Sequence, residues 1–213
     1  MILFNFVICD SHGGYTVKEG LFIMHNLDLF QAFTPEYYGF PDVPPCSLVD
    51  SSDFLPFNFR DKKSDCLDFF CDDRFFECVW KNPLGYVDLF RSYRFIVQPD
   101  FSLFYDMPIA LQIYNKYRNH TLAAFYSMQG VRVIPNINLS TPCCFNWSIR
   151  GYPKNSVVAF SSIGSLRSRS DRYYLFRAYD YMINKLDPVG VLWFGSSVDC
   201  PSECKYVRGG FFG

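Results

Sequence analysis

From about residue 66 onward, short apolar or β-branched runs alternate with longer stretches whose apolar residues recur at helical spacing. "CLDFFCDD" (66–73), "YRFIVQPD" (93–100), "VRVIPNI" (131–137), "SVVAFSS" (156–162) and "VGVLWFG" (189–195) read as strands, each a brief run bounded by polar or turn residues. Strands separated by helical stretches imply right-handed crossovers and a largely parallel sheet. The expected class is therefore α/β, with about five mainly parallel strands and flanking helices in an open sheet or an incomplete TIM-like barrel.

Two helices stand out between those strands. In the first, Asp106 is placed as N-cap and Pro108 in the first turn; Leu111, Tyr114, Tyr117, Leu122 and Phe125 recur near the helical repeat, and Gly130 supplies the stop. The second is expected to start near Ser170 and Asp171, to bury Leu175, Tyr179, Met182, Ile183 and Leu186, and to end before Pro188. Residues 1–60 show no sustained period and carry Pro35, Pro41, Pro44, Pro45 and Pro56 among aromatics, so they read as an irregular Pro- and aromatic-rich extension. The α/β domain is placed at 61–198, followed by a tail at 199–213.

In parallel α/β folds the C-terminal strand ends lie along one rim, where ligands bind. Those ends carry Asp72 and Asp73, then Asp100 and Ser102, then Asn136 and Asn138, then Ser161, Ser162 and Gly164, and finally Gly195, Ser196 and Ser197. Strand-to-helix loops are polar in any fold, because Asp, Asn and Ser favour turns and caps. As a group, however, they form a candidate polar ligand site in which Asp72, Asp73 and Asp100 serve as general bases or magnesium ligands. The loop "SSIGSLRSRSDR" adds Arg167, Arg169 and Arg172 at the start of the second helix, where cations oppose the dipole unless an anion is near. It lacks the P-loop spacing. No G-x-S-x-G occurs either, and no histidine stands at a predicted strand end, so a nucleophilic triad is not expected. The aromatics Tyr114, Tyr117, Phe125, Tyr173, Tyr174 and Tyr179 sit at helical spacing and read as packing residues rather than base-stacking platforms.

Composition narrows the setting. With 49% hydrophobic and 20% aromatic residues, the 213-residue chain can bury one sizeable core. No apolar run approaches the ~18 residues of a membrane span, and the first residues lack signal-peptide features, so the chain is read as soluble and intracellular, with no membrane partner. Nine cysteines, without C-x-x-C and with only the scattered His12, His25 and His120, predict reduced, mostly buried thiols. Neither zinc nor haem is expected; magnesium remains compatible with the carboxylates. The net charge of −1 conceals an acidic first half, with 15 acidic and 8 basic side chains in 1–100, and a basic second half, with 6 and 12. The halves can attract one another, or the basic half can face an anionic partner.

The segments "DFFCDDRFFECVWKNP", "PDFSLFYDMPIALQIYNKYR", "QGVRVIPN" and "SVVAFSSIGS" resemble a family of bacterial phage and mobile-element proteins defined only as a domain of unknown function. The resemblance spans roughly residues 65–196. It places the family's DD on Asp72 and Asp73, its PDFS on Pro99 to Ser102, its DMP on Asp106 to Pro108 and its QG on Gln129 and Gly130. A tryptophan is usual in the family where this chain has Leu139, which leaves that position without the aromatic side chain. The resemblance implies a phage or mobile-element protein in the cytoplasm of a bacterial host cell, and it carries no activity with it.

The leading expectation is an enzyme or ligand-binding protein that holds a phosphate-bearing ligand, a nucleotide or nucleic acid, at the strand C-terminal ends. Asp72, Asp73 and Asp100 would do the acid/base or metal-ion chemistry, and Ser102, Asn136, Ser161, Ser162, Gly164, Arg167, Arg169, Arg172 and Gly195 would hold the ligand. The alternative is a non-catalytic interaction module that interferes with a host protein through the N-terminal segment.

Overall fold

The computed structural model describes residues 38–207 apart from 48, 51, 52, 62 and 63, together with the backbone of 8–9 and 15–16. The chain divides into Met1–Thr34 and Pro35–Gly213. In the first unit, β1 (Ile8–Cys9) and β2 (Tyr15–Thr16) form a two-stranded antiparallel ladder. The N-terminal segment assigned to protein interaction falls mostly outside the described residues.

In the second unit, β3 (Phe54–Pro56), β4 (Cys66–Asp68), β5 (Phe95–Val97) and β6 (Val133–Ile134) build one parallel sheet in sequential order. A second parallel sheet contains β7 (Val157–Ser161), β8 (Gly190–Phe194) and β9 (Lys205–Val207). The two are stitched together where Ile137 N–H donates to the Ala159 carbonyl at 2.9 Å and Ala159 N–H to that of Pro135 at 2.8 Å. All five strands read from the sequence are present. Two more, β3 and β9, lie outside the 61–198 span.

The strand order runs β3 to β9 without a switch, and the surface it makes is curled. Phe54 on β3 and Phe194 on β8 are five strand positions apart, roughly 24 Å on a flat sheet, yet their ring centroids are 5.3 Å apart, edge to face. Phe54, Cys66, Phe95, Val97, Ile134, Val157, Ala159, Leu192, Phe194 and Val207 share one core, so alternate residues of all seven strands face a common interior. The result is an incomplete barrel, with no ladder between β3 and β9 among the described residues.

Among the described residues of the second unit, five helices flank the strands: α1 (Glu77–Lys81), α2 (Val87–Arg91), α3 (Ile109–Met128), α4 (Phe145–Ser148) and α5 (Arg169–Leu186). α5 follows expectation in its bounds and in most of its buried face. Ser168 caps it by accepting the Asp171 N–H at 3.1 Å, Leu175, Tyr179, Met182 and Leu186 are buried, Ile183 is only half-buried, and Asp187 in the left-handed region ends it before Pro188. Much of the aromatic content is spent between helices and sheet: Phe69 stacks on Phe57 and meets Phe76 edge to face, while Tyr179 packs against Phe160 and Trp193.

α3 departs from expectation. It begins at Ile109 with Pro108 as its N-cap, and no side chain caps it, so Asp106 is not the cap. Pro108 causes this: with ψ 134 it stands outside the helix and displaces the start two residues beyond the position read from Asp106. The first three turns of α3 also bury polar residues: Gln112, Asn115, Lys116, Asn119 and His120 are inside, whereas Ile109 and Leu111 are 56% and 50% exposed.

Candidate functional site

A cavity of about 520 Å³ opens beyond the C-terminal ends of β5, β6 and β7. Its walls come from the loop after β5 (Asp100 and 102–106), the loop after β6 (136–140), the loop after β7 (161–168) and the first turns of α5. Six residues anticipated as site residues meet here: Asp100, Ser102, Asn136, Ser161, Gly164 and Arg167.

The loop after β5 is held from behind by the polar stripe of α3. Asn119 accepts the Phe101 N–H at 2.7 Å and donates to the Phe101 carbonyl at 3.0 Å, while Asn115 donates to the Ser102 carbonyl at 2.7 Å. Gln112 donates to the Met107 carbonyl at 2.9 Å. Asp73, from the turn after β4, accepts both the N–H and the hydroxyl of Ser102, at 3.1 and 2.9 Å. Polar side chains are therefore buried on α3 because the backbone they satisfy belongs to a loop rather than to a strand ladder.

Asp100 is the chemical centre of this wall. Asn138 donates its amide to the Asp100 carboxylate at 2.6 Å. Burial pushes the Asp100 carboxyl up to about 7 against that hydrogen bond, with the charge of Asp73 adding to the rise and that of Lys116 opposing it. Asp68, 1% exposed at the end of β4, is likewise pushed up to about 7 by burial, although it accepts the Phe70 N–H at 2.9 Å. The Cys71 thiol is pushed up to about 12, chiefly by burial, with the charges of Asp68, Asp100 and Asp73 adding to the rise. A carboxyl that titrates near 7 can give or take a proton at neutral pH.

Lys116 lies fully buried under this wall. Its ammonium is 3.7 Å from the Tyr152 ring centroid and has no hydrogen-bond partner among the described residues, and burial holds it well below the ordinary lysine range. The Tyr152 hydroxyl donates to the Asn136 carbonyl and accepts the Asn138 N–H at 3.4 Å, which links the ring under Lys116 to the loop that carries the partner of Asp100. His120, one turn further along α3, places Nδ1 2.9 Å from the Pro41 carbonyl and packs on Tyr152; burial holds its imidazole well below its usual value. With the Nδ1 proton on that carbonyl, the ring is neutral and Nε2 is left as a bare acceptor, without a partner.

The opposite wall is built by the loop after β7. Ser161 accepts the Ile163 N–H at 3.1 Å, and Gly164 turns the chain at φ +77, a conformation costly for any residue with a Cβ. Arg167 and Ser168 follow, with the N-terminus of the 18-residue α5 behind them. Arg167 and Arg169 make no ion pair among the described residues, and only Arg167 lines the cavity.

The remaining anticipated residues have other work. Asp72 is exposed, caps its own turn by accepting the Arg74 N–H at 3.1 Å and pairs with the Arg74 side chain at 3.4 Å. Asp73 acts on Ser102 and does not line the cavity. Ser162 is buried, donates to the Phe194 carbonyl at 3.2 Å and accepts the Ser196 N–H at 3.0 Å. Gly195, at φ +111, is needed because a Cβ there would collide with the Ser162 hydroxyl. Arg172 pairs with Asp199 and lies over the Phe176 ring, so that guanidinium is neutralised within the chain. With Ser168 and Asp171 also serving the α5 terminus, the conflict read from three arginines is partly relieved internally. Tyr114 and Tyr117 pack against Trp80, Phe125 is buried and Tyr179 is in the core, as packing residues should be, whereas Tyr173 is 59% exposed and Tyr174 lines the cavity.

Among the described residues, no group of three or more His, Cys, Asp or Glu side chains is placed to hold a metal ion. Every described cysteine is a free thiol. No described helix is long and apolar enough to cross a membrane.

Fold and site together define an α/β protein whose incomplete parallel barrel carries a polar cavity at the strand C-terminal ends. The chain belongs to the family described as a domain of unknown function (DUF4417), whose profile matches residues 34–208. It is 29% identical over 202 residues to the Gene 1 protein of Mycobacterium phage L5, an alignment covering 89% of this chain and 85% of the relative. It is 32% identical over 192 residues to the Gene 1 protein of Mycobacterium phage D29, covering 87% of this chain and 70% of that one. No solved structure matches it.

Proposed function

We propose that the chain binds a phosphate-bearing small molecule in this cavity, in the cytoplasm of the phage's host, with Asp100 as the group that gives or takes a proton there. The observation that carries the reading is the meeting of Asp100 and Arg167 on the walls of one cavity beyond the strand ends. Arg167 supplies a cation of fixed charge, the N-terminus of α5 adds partial positive charge, and the hydroxyls of Ser140, Ser161, Ser165 and Ser168 can pair with phosphate oxygens. Ser140 Oγ is buried without a partner among the described residues, a cost that a bound oxygen would remove. Asp73 serves as a positioning residue, holding Ser102 and through it the loop that carries Asp100.

Thermal unfolding with inorganic phosphate, ribose 5-phosphate and ribose as control tests the reading. The two phosphates are expected to raise Tm, the shift to shrink with sodium chloride, and Arg167→Ala to remove most of it. No shift in the parent, or an equal shift in Arg167→Ala, would overturn it.

A further inference from the structure

We infer that the ligand is a nucleoside monophosphate whose base stacks on Phe104 and Tyr105 at the cavity mouth. The inference rests on the phosphate reading above and names its ligand class. Phe104 and Tyr105 both line the cavity, and they are 54% and 66% exposed. They make no ring contact among the described residues, in a chain whose other aromatics are mostly packed on one another.

Their place in the backbone sharpens the point. The Met107 N–H donates to the Phe104 carbonyl at 3.1 Å, so Phe104 opens a turn whose tip is Tyr105 and Asp106. Asp106 suits a turn tip, whereas the two large exposed rings beside it have no packing role that the turn requires. The turn is nevertheless firmly fixed: Asn119 holds Phe101, Asp73 and Asn115 hold Ser102, and Gln112 holds Met107. Aromatic rings held outward on an immobilised loop make a preorganised stacking platform, which every nucleobase can use through its flat face.

Charge selects the phosphate end. Asp100, Asp106 and Asp171 line the cavity against the single guanidinium of Arg167. One monoester can be matched by Arg167 and the α5 terminus, whereas the chain of charges in a triphosphate would run against carboxylates. The cavity, about 520 Å³, is within the ~300–1,000 Å³ range of small-ligand sites.

Calorimetric titration of the full chain with 5′-AMP, 5′-UMP, ATP without added metal, adenosine and ribose 5-phosphate decides it. Both monophosphates are expected to bind on the order of 5- to 150-fold tighter than ribose 5-phosphate, the range that base stacking provides, and tighter than ATP or adenosine. Phe104→Ala combined with Tyr105→Ala should bring the monophosphates down to the level of ribose 5-phosphate while leaving the latter unchanged. Ribose 5-phosphate binding as tightly as the monophosphates, or a double variant that keeps their advantage, would refute the base-stacking inference and leave the phosphate site standing. Binding by none of the phosphates would remove both.

Discussion

The Lys116 ammonium rests 3.7 Å from the centroid of the Tyr152 ring, and among the described residues no hydrogen-bond acceptor reaches it. The cavity it underlies is read through Asp100, whose ionised form the Lys116 charge favours. Lys116→Met is therefore expected to raise the titration point of Asp100 above its value of about 7 while keeping or raising stability, by up to about 4 kcal/mol, because no hydrogen bond is lost. Carbon-13 NMR of the carboxyl checks the first outcome and urea unfolding the second. An unmoved Asp100 titration would disconnect the two residues.

Stability should respond to pH in a direction opposite to ordinary paired carboxylates. Asp68 and Asp100 are raised from 3.8 to about 7, so the folded chain binds more protons than the unfolded chain between those values. Stability contributed by their neutral forms is complete below the unfolded value and is lost as pH rises through about 7. Each is expected to withdraw on the order of 2–4 kcal/mol across that window. Lys116 and His120 act in the opposite sense: their lowered folded values mean that stability is regained as pH climbs from there toward 10.5 and 6.5 respectively. Urea unfolding at intervals from pH 5 to 7.5 should therefore show the parent losing stability relative to Asp68→Asn as pH rises. A difference between the two proteins that does not change with pH would contradict this.

Asp106→Ala should change stability by less than about 0.5 kcal/mol, since the residue is exposed and caps nothing. Ser168→Ala, which removes a true cap, should cost about 1 kcal/mol. A reversed order in denaturant melts would restore Asp106 as a helix cap.

Asn119→Ala removes the only side chain that pairs both the N–H and the carbonyl of Phe101, leaving two buried backbone groups unmet among the described residues. A loss of about 2–4 kcal/mol is expected, with faster amide exchange in 100–107 than in the strands. Uniform exchange throughout the chain would show that Asn119 does not anchor that loop.

What was legible in the sequence follows from burial. The runs at 66–73, 93–100, 131–137, 156–162 and 189–195 are apolar enough to announce parallel strands, and their polar ends marked the rim where the cavity lies. β3 and β9 were not legible: three residues each, one with Pro56 and the other beginning with the exposed Lys205, they carry no run to recognise. The largest omission was α3. Its apolar spacing includes the exposed Leu111, whereas Gln112, Asn115, Lys116, Asn119 and His120 repeat at the same helical spacing and form the buried face that serves a loop. Asp106 reads as a cap only if Pro108 belongs to the first turn, and Pro108 stands outside the helix. The three arginines drew attention to the right loop, but pairing Arg172 with Asp199 depends on a contact from the far end of the chain.

Hydrogen–deuterium exchange of the full chain with and without saturating ribose 5-phosphate tests the central claim most directly, because it locates a ligand without assuming a reaction. The cavity reading predicts protection in 100–106, 136–140 and 161–171, lost in Arg167→Ala. Protection elsewhere, or protection of these segments that persists in Arg167→Ala, would contradict it.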